Sequence, residues 1–375
     1  MMMQELPLGF HEKVIYKLRS VYNQFGYSQY KMSKFEEYDL YARNKDFLIS
    51  DSAITFMDTN GKLMALKPDV TLSIVKNSKD DSQTLQKLYY NENVYRVSKS
   101  THSFKEIMQV GLECLGNIDD YCICEVLTLA AESLGAISPE SILDISHLGL
   151  LSQVIDAMGI PSDKKDALLK CIGEKNPHEL TSLCRSCGVS EDRITMLKQI
   201  VLTGGAPDVV LPKLKELLSG ITDTEPLERL LRITGALEGS QIKQMLRFDF
   251  SVVDDIHYYN GIVFKGFIHG LPSSVLSGGQ YDKLMRKMNR KSGAIGFAVY
   301  MDALERLDIQ KKDFDVDTVL LYEDGTALTA IQAQVKARTD RGESVMVQRF
   351  LPENIKCRQI LKLRGSEVEI LENNA

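Results

Sequence analysis

The chain has 375 residues, a formal net charge of −6 and a pI of about 5.7, with 44% hydrophobic and 26% charged residues. This is the composition of a soluble globular protein with room for one large domain and one or two small ones. A protein that binds nucleic-acid phosphates usually has a basic face. The sequence has no dense run of lysine and arginine; the segment that comes nearest to one, residues 286–291, is short and is interpreted as a solvated helix end. No segment reaches the roughly 20 apolar residues of a membrane span, and the N-terminus lacks an apolar core for secretion. We therefore expect a cytoplasmic protein with no membrane partner.

The seven cysteines are scattered along the chain, and this odd number fits reduced thiols. Cys184 and Cys187 form a C-x-x-C pair, but no second pair follows at the spacing of a zinc ribbon. Cys122 and Cys124 are interpreted as packing residues near the start of a helix. The sequence therefore predicts no metal site and no cofactor.

The predicted elements begin with an amphipathic helix over residues 11–25, which Gly26 stops. Extended segments follow and include a hairpin at the turn formed by Asn60 and Gly61. Residues 73–75 are predicted to lie within a helix.

Residues 89–116 are interpreted as two strands joined by a polar loop, and the second strand alternates between an apolar core face and a polar face. The polar face places Gln109 and Glu113 two residues either side of Gly111, on a surface where a small ligand could lie flat. Arg96 ends the first strand and is expected to reach over the same surface. A half-solvated strand gives the same alternation, so this pattern alone leaves both interpretations open.

A helix over residues 119–136 returns across the sheet, and from about residue 148 to 246 the chain changes to consecutive helices with short glycine and proline breaks. The remainder alternates strands with helices, which favours a parallel βαβ sheet. Its predicted elements are a strand at 316–322, a helix at 326–339, a strand at 344–350, a short helix at about 354–362 and a closing strand at 367–371.

These segments resemble the catalytic domain of class II aminoacyl-tRNA synthetases, and of histidyl-tRNA synthetases in particular. Residues 89–116 resemble that family's second motif, and LMALKPDVTLSIVKN, residues 63–77, resembles the segment before it. DDIHYYNGIVFKG, residues 254–266, is similar to the histidine-specific tyrosine-pair segment. SGGQYDKL at 277–284 resembles the turn after that segment, and AIGFAVYMDAL at 294–304 resembles the third motif. The matches follow the expected order, which makes the resemblance more specific than any single motif.

The resemblance implies an α+β fold with a class II synthetase-like antiparallel sheet flanked by helices. We expect the two parts of this core at residues 1–147 and 247–312, interrupted by a helical insertion at 148–246. Residues 313–375 form the small C-terminal α/β unit and are similar to a shortened anticodon-binding domain.

Departures from the synthetase pattern concern the cations that grip ATP. Charge builds on the triphosphate during adenylate formation, and the resemblance implies three arginines to stabilise it. Arg96 matches the first of them, whereas the third-motif position holds Ala303 beside Asp302, and the position before the tyrosine pair holds Asp254. Ser98 replaces an expected glutamate. We therefore expect no histidine activation and assign no catalytic residue.

The amino-acid half of the implied pocket is retained. An ammonium and an imidazole are donors that need acceptors, while tyrosines add hydroxyls and flat walls. Each tyrosine has an alternative interpretation as an ordinary buried aromatic. The predicted histidine-binding residues are Asp69, Thr71, Arg96, Gln109, Glu113, Tyr258, Tyr259 and Tyr281.

This combination resembles the regulatory subunits of ATP phosphoribosyltransferase, which are paralogues of histidyl-tRNA synthetase, and residues 105–116 look closer to that family. The resemblance implies a non-catalytic subunit for the first step of histidine biosynthesis. Such a subunit has a homodimer core, joins the short catalytic subunit in a hetero-octamer, activates it and transmits feedback inhibition by histidine. No tRNA partner is implied.

Two alternatives stay open. The chain is a divergent histidyl-tRNA synthetase if Arg306 replaces the lost third-motif arginine, which requires a shift of about three positions, nearly one helical turn. It is otherwise an orphan synthetase-like protein with a different ligand. For the regulatory subunit, the inhibitory histidine binds either in this pocket or at an interface with the partner.

Overall fold

The computed structural model describes residues 8–48, 53–80, 84–98, 101–219, 225–253, 258–307, 314–365 and 367–374. The chain divides into two compact units, Met1–Arg306 and Leu307–Ala375. Each unit has its own sheet and its own apolar core, and each is described separately below.

The first part of the larger unit contributes four of the nine described strands of the central sheet. The opening helix is amphipathic and buries Val14, Leu18 and Tyr22, and the chain leaves it through Gly26 at a φ of +81°. The elements are α1 (Phe10–Gln24), β1 (Ser28–Gln29), β2 (Phe35–Glu37), α2 (Tyr38–Ala42), β3 (Thr55–Met57), β4 (Leu63–Leu66), α3 (Thr71–Asn77), β5 (Gln86–Val97), β6 (Phe104–Gly116), α4 (Asp120–Ile137) and β7 (Ser141–His147). The four strands of the central sheet among them are β1, β5, β6 and β7.

The middle of the chain is a run of helices whose starts are set by local chemistry. Asn176 caps one helix by accepting a hydrogen bond from the backbone of Glu179, and proline opens that helix and a later one, where no amide donor is needed. The elements are α5 (Leu148–Ala157), α6 (Ser162–Gly173), α7 (Pro177–Ser186), α8 (Glu191–Leu202), β8 (Gly204–Gly205), α9 (Pro207–Leu217) and α10 (Glu225–Ala236).

The chain then returns to the central sheet through β9 (Leu246–Asp249), β10 (Ile262–Ile268), β11 (Leu276–Gln280), α11 (Asp282–Lys287) and β12 (Gly293–Tyr300). Within the described residues this sheet has nine strands in the order β1-β5-β6-β12-β11-β10-β7-β9-β8. The β1/β5 and β7/β9 pairs are parallel, and the other neighbours are antiparallel. A separate small sheet has the order β2-β4-β3. β6 lies between β5 and β12, so a paired strand borders its polar face along each edge.

The C-terminal unit contains β13 (Val316–Tyr322), α12 (Leu328–Thr339), β14 (Val345–Gln348), β15 (Cys357–Arg364) and β16 (Glu367–Asn373). The sheet order is β14-β13-β15-β16, with β13 parallel to β14 and β15. The closing strand β16 is antiparallel to β15, so the sheet is only partly parallel.

The short helix predicted at residues 354–362 is wrong, because this segment runs into β15. Cys357, Ile360, Leu361 and Leu363 are all buried, and β15 pairs with β13 along its length. A register shift between Ile360 and Leu361 breaks the strict two-residue alternation. The buried residues Cys357, Ile360 and Leu361 therefore have the three- and four-residue spacing that is typical of the apolar face of a helix.

A search of the described residues found no helix that is both long and apolar enough to cross a lipid bilayer.

Candidate functional site

The floor of the candidate site is the middle of β6 and the neighbouring face of β12. Glu113 pairs with Gly296, Gly111 pairs with Ala298, and Gln109 pairs with Tyr300. On the other side, β5 contributes Tyr90, which pairs with Gly111. Because alternate residues of a strand share a face, these side chains converge on one surface of the sheet.

This surface is the base of a cavity that encloses about 470 Å³ of space between atoms, including its open mouth. The structure brings together every residue of the predicted histidine-binding set around it: Asp69, Thr71, Arg96, Gln109, Glu113, Tyr258, Tyr259 and Tyr281.

Glu113 lies at the buried end of the cavity, with only 2% of its surface exposed. The hydroxyl of Thr71 donates to Oε1 at 2.6 Å, and the hydroxyl of Tyr281 donates to Oε2 at 2.5 Å. Burial raises the pKa of Glu113 to about 8, although both hydroxyl contacts favour its charged form. A carboxyl group with this pKa can accept a hydrogen bond from a ligand or donate one to it near neutral pH.

Asp69 lies on the turn that leads into α3. Its Oδ1 accepts a hydrogen bond from the backbone nitrogen of Leu72 at 2.9 Å, which fixes the carboxylate at the start of the helix. Burial raises the pKa of Asp69, while the Leu72 contact and the charge of Arg96 oppose the rise. Arg96 donates from Nε to the carbonyl of Pro68 at 3.0 Å, so it is anchored to the same turn.

The tyrosines form one wall of the cavity. The ring centroids of Tyr258 and Tyr259 are 4.8 Å apart in an edge-to-face arrangement, and those of Tyr258 and Tyr281 are 5.7 Å apart. Burial raises the pKa of Tyr258 and of Tyr281 well above the usual range, so both keep their protons. They supply neutral hydroxyl groups and flat apolar surface, which suits an aromatic ligand ring.

Glycines keep the floor open. A Cβ at Gly296 would lie 1.8 Å from Oε2 of Glu113, and a Cβ at Gly111 would lie 2.2 Å from the carbonyl oxygen of Phe297 and 2.6 Å from the hydroxyl of Tyr90. Neither position has room for a side chain, so the space above β6 and β12 depends on these two residues.

Gln109 is 4% exposed and lines the cavity. A primary amide can donate hydrogen bonds from its nitrogen and accept them at its oxygen. This amide is therefore suited to bind a ligand.

Cations are scarce around the cavity. Among the lining residues that the structure describes, Arg96 is the one positively charged side chain. Ala303 is half-buried beside the exposed Asp302, and Arg306 is exposed and does not line the cavity. The other substituted position, Asp254, lies outside the described residues.

Six lining residues are outside the predicted set: Tyr90, Ser277, Gly296, Phe297, Ala298 and Tyr300. The hairpin register of β5 and β6 would have identified Tyr90, which is opposite Gly111. Tyr300 required the knowledge that β12 lies beside β6, and the local sequence does not carry that information.

Among the described residues, no group of three histidine, cysteine, aspartate or glutamate side chains is arranged to hold a metal ion. Cys184 and Cys187 are both free thiols.

The nine-stranded sheet with its flanking helices has the fold of class II synthetase-like proteins. The profile described as histidyl-tRNA synthetase matches residues 9–304, and the chain belongs to this family.

Relatives at 24–28% identity carry a different description within this family. The ATP phosphoribosyltransferase regulatory subunit of Thermoanaerobacter sp. is 27% identical over 357 residues, which cover 92% of each chain. That of Oceanobacillus iheyensis is 25% identical over 304 residues, covering 80% of this chain and 74% of the relative. The resemblance to these regulatory subunits inferred from the motifs is confirmed.

Solved structures agree on the fold. A Bacillus halodurans structure described as an ATP phosphoribosyltransferase regulatory subunit/histidyl-tRNA synthetase is 22% identical, with a TM-score of 0.78 and coverage of 96% of this chain and 98% of that one. A chain of the ATP phosphoribosyl transferase (HisG:HisZ) complex from Thermotoga maritima is 20% identical, with a TM-score of 0.62 and coverage of 79% and 98%. The predicted α+β, class II synthetase-like fold is thereby confirmed.

Proposed function

We propose that this chain is the regulatory subunit of an ATP phosphoribosyltransferase, a cytoplasmic protein that binds histidine and performs no catalysis itself. The observation that carries the proposal is the composition of the pocket. Asp69, Gln109 and Glu113 supply buried acceptors, whereas Arg96 is the one cation among the described lining residues. One cation suits the carboxylate of an amino acid and leaves a triphosphate without its usual partners.

We propose one orientation for histidine in this pocket. Its imidazole would contact Glu113 against the tyrosine wall, and its ammonium group would contact Asp69 and Gln109. Its carboxylate would pair with Arg96, whose anchoring to Pro68 through Nε leaves the outer guanidinium nitrogens for a ligand. In this orientation the ammonium group has the carboxylate of Asp69 as its partner, and the carboxylate has the guanidinium group of Arg96.

The proposed partner is the short catalytic subunit of ATP phosphoribosyltransferase. The descriptions of the relatives support this assignment. We propose that this chain activates that subunit in a hetero-octamer and transmits feedback inhibition when histidine binds. The net charge of −6 supports a role without tRNA.

A homodimer core is part of the proposal. The small β2-β4-β3 sheet exposes Phe35, Phe56, Met57 and Leu63 on its surface, and the two phenylalanine rings pack at 5.4 Å. An exposed apolar cluster of this kind is typical of an interface. We propose that two copies of the chain meet there.

Reconstitution tests the proposal. The purified chain, mixed with a short ATP phosphoribosyltransferase catalytic subunit from the same organism, is expected to co-elute with it, raise its turnover and make it sensitive to histidine. The catalytic subunit alone is the control. A mixture that neither associates nor changes activity would overturn the regulatory assignment.

The rival function, a divergent histidyl-tRNA synthetase, is favoured by the family profile. Histidine-dependent exchange between ATP and pyrophosphate separates the two functions. We expect no exchange above background, because one strong charge contact to the transition state is typically worth a few kcal/mol and more than one has been lost. Exchange at the rates of ordinary synthetases would establish the rival.

A further inference from the structure

Residues on β12 form one side of the cavity floor. Three successive cross-strand pairs form the floor: Glu113 with Gly296, then Gly111 with Ala298, then Gln109 with Tyr300. On β6 the first and last positions, Glu113 and Gln109, are four residues apart, which corresponds to a backbone distance of about 13 Å in a strand. The β12 side of the floor is small at the first two pairs and carries a large aromatic ring at the third.

The two ends differ in burial. On β6 all three floor residues are buried, and on β12 Gly296 is buried whereas Ala298 and Tyr300 are half-buried, so the β12 side of the floor is more accessible towards Tyr300. Tyr300 has the largest side chain of the floor and lines the cavity. A ligand seated on Glu113 and extending along the floor therefore meets the ring of Tyr300 at its outer end.

We infer that Tyr300 restricts the site to a single free amino acid by blocking any group attached to the ligand's carboxyl end. This inference rests on the proposed function and specifies the ligand class of the same site. Free histidine spans about 6 Å from its far ring nitrogen to its carboxyl carbon, and a hydrogen bond adds about 2.9 Å at each end. The resulting length of about 12 Å is comparable with the backbone separation of about 13 Å between Glu113 and Gln109. A group added beyond the carboxylate would therefore extend towards Tyr300, which pairs with Gln109.

Such a block has a regulatory consequence. Histidine in the cell is also present in peptides, amides and activated esters, all of which share its imidazole and ammonium groups. A sensor that recognised only these groups would respond to all of them. The ring of Tyr300 confines the response to the free amino acid.

The test compares Tyr300→Val with Tyr300→Phe. Valine suits a strand and removes the ring, whereas phenylalanine keeps the ring and removes only the hydroxyl. Calorimetric titration uses L-histidine and the dipeptide L-histidyl-glycine as probes. Tyr121→Val, at an exposed tyrosine on α4, is the matched control for loss of one ring.

We expect the natural chain and Tyr300→Phe to bind histidine at least about tenfold more tightly than the dipeptide, which corresponds to about 1.4 kcal/mol. In Tyr300→Val the dipeptide is expected to gain about tenfold in affinity, while histidine changes by less than about threefold. L-histidinamide, which lacks the carboxylate but adds almost no length, is expected to gain nothing from the substitution.

Equal discrimination in Tyr300→Val and the natural chain would overturn the inference while leaving the histidine site intact. A natural chain that binds the dipeptide as tightly as histidine would overturn it as well. A natural chain that binds neither probe would refute the histidine site itself and the inference with it. Thermal unfolding of Tyr300→Val confirms that the variant is folded, and Tyr300→Phe provides the comparison independently of that variant.

Discussion

Glu113 is a buried carboxyl group whose pKa is subject to two opposing effects. Two hydroxyl donors favour its carboxylate, yet burial dominates and raises its pKa to about 8. The unfolded chain has a glutamate pKa near 4.3. Between these two values the folded chain keeps a proton that the unfolded chain releases, so this group's contribution to stability is complete at low pH and is lost as pH rises towards 8.

Glu113→Gln removes this titration while keeping the shape of the side chain. The difference in unfolding free energy, variant minus natural chain, is therefore expected to increase from pH 5 to pH 8 and then level off. Its slope has an upper limit of about 1.4 kcal/mol per pH unit. Urea unfolding without histidine, followed at several pH values, measures this difference.

Glu216→Gln, at an exposed position on α9, is the control for exchanging one carboxyl for an amide. Its difference from the natural chain is expected to remain nearly flat over the same pH range. A Glu113→Gln difference that is also flat, or that decreases as pH rises, would contradict a raised pKa at this position.

At the scale of the element, β6 works as the floor of a cavity only because Gly111 has no side chain. A Cβ there would meet the Phe297 carbonyl at 2.2 Å and the Tyr90 hydroxyl at 2.6 Å. Since the first contact is with backbone, the β6–β12 pairing has to shift. We expect Gly111→Ala to lower the unfolding free energy by about 1–3 kcal/mol, the usual cost of overpacking, and to weaken histidine binding.

Gly135→Ala is the matched control, because it makes the same chemical change within α4 where no atom lies within 4 Å of the new Cβ. It is expected to stabilise the chain by about 0.5–1 kcal/mol through helix propensity. Urea midpoints compare the two variants. Equal effects of both substitutions would show that the close approach at Gly111 is unimportant.

The elements also show what local sequence can predict. The alternation in β6 predicted Gln109 and Glu113 as members of one face, because a strand's two-residue period needs only the strand itself. The same rule failed at β15, where the shift between Ile360 and Leu361 interrupts the period. Tyr300 escaped prediction for another reason, since its place in the site depends on which strand lies beside β6. The family motifs supplied that order of strands only as a resemblance.

At the scale of the whole molecule, a synthetase-like sheet holds the proposed histidine pocket, and Arg96 is the one cation among the lining residues that the structure describes. A pocket of this kind influences a partner only through linkage: histidine must bind one state of the complex more tightly than another. Activation of the partner needs contact between the chains, whereas inhibition by histidine needs the pocket as well. The two effects should therefore be separable by substitution.

The double variant Asp69→Asn and Glu113→Gln tests this separation in the reconstituted complex. Asparagine at position 69 keeps the oxygen that accepts from the backbone of Leu72. Glutamine at position 113 keeps one oxygen for one of the two hydroxyl donors, Thr71 or Tyr281, and its amide nitrogen can donate to the oxygen of the other hydroxyl. Charge-assisted hydrogen bonds contribute about 1.5–3 kcal/mol each, so the histidine concentration for half inhibition is expected to rise at least about tenfold. Activation of the catalytic subunit is expected to remain.

The control carries the same two changes at exposed positions, Asp163→Asn on α6 and Glu216→Gln on α9, and is expected to retain normal inhibition. Steady-state turnover across a histidine titration compares the three complexes. Unchanged inhibition in the pocket variant would mean that the inhibitory histidine binds elsewhere, as at an interface with the catalytic subunit. Loss of activation together with inhibition would instead mean that the pocket and the partner contact cannot be separated, because both effects would then depend on the same side chains.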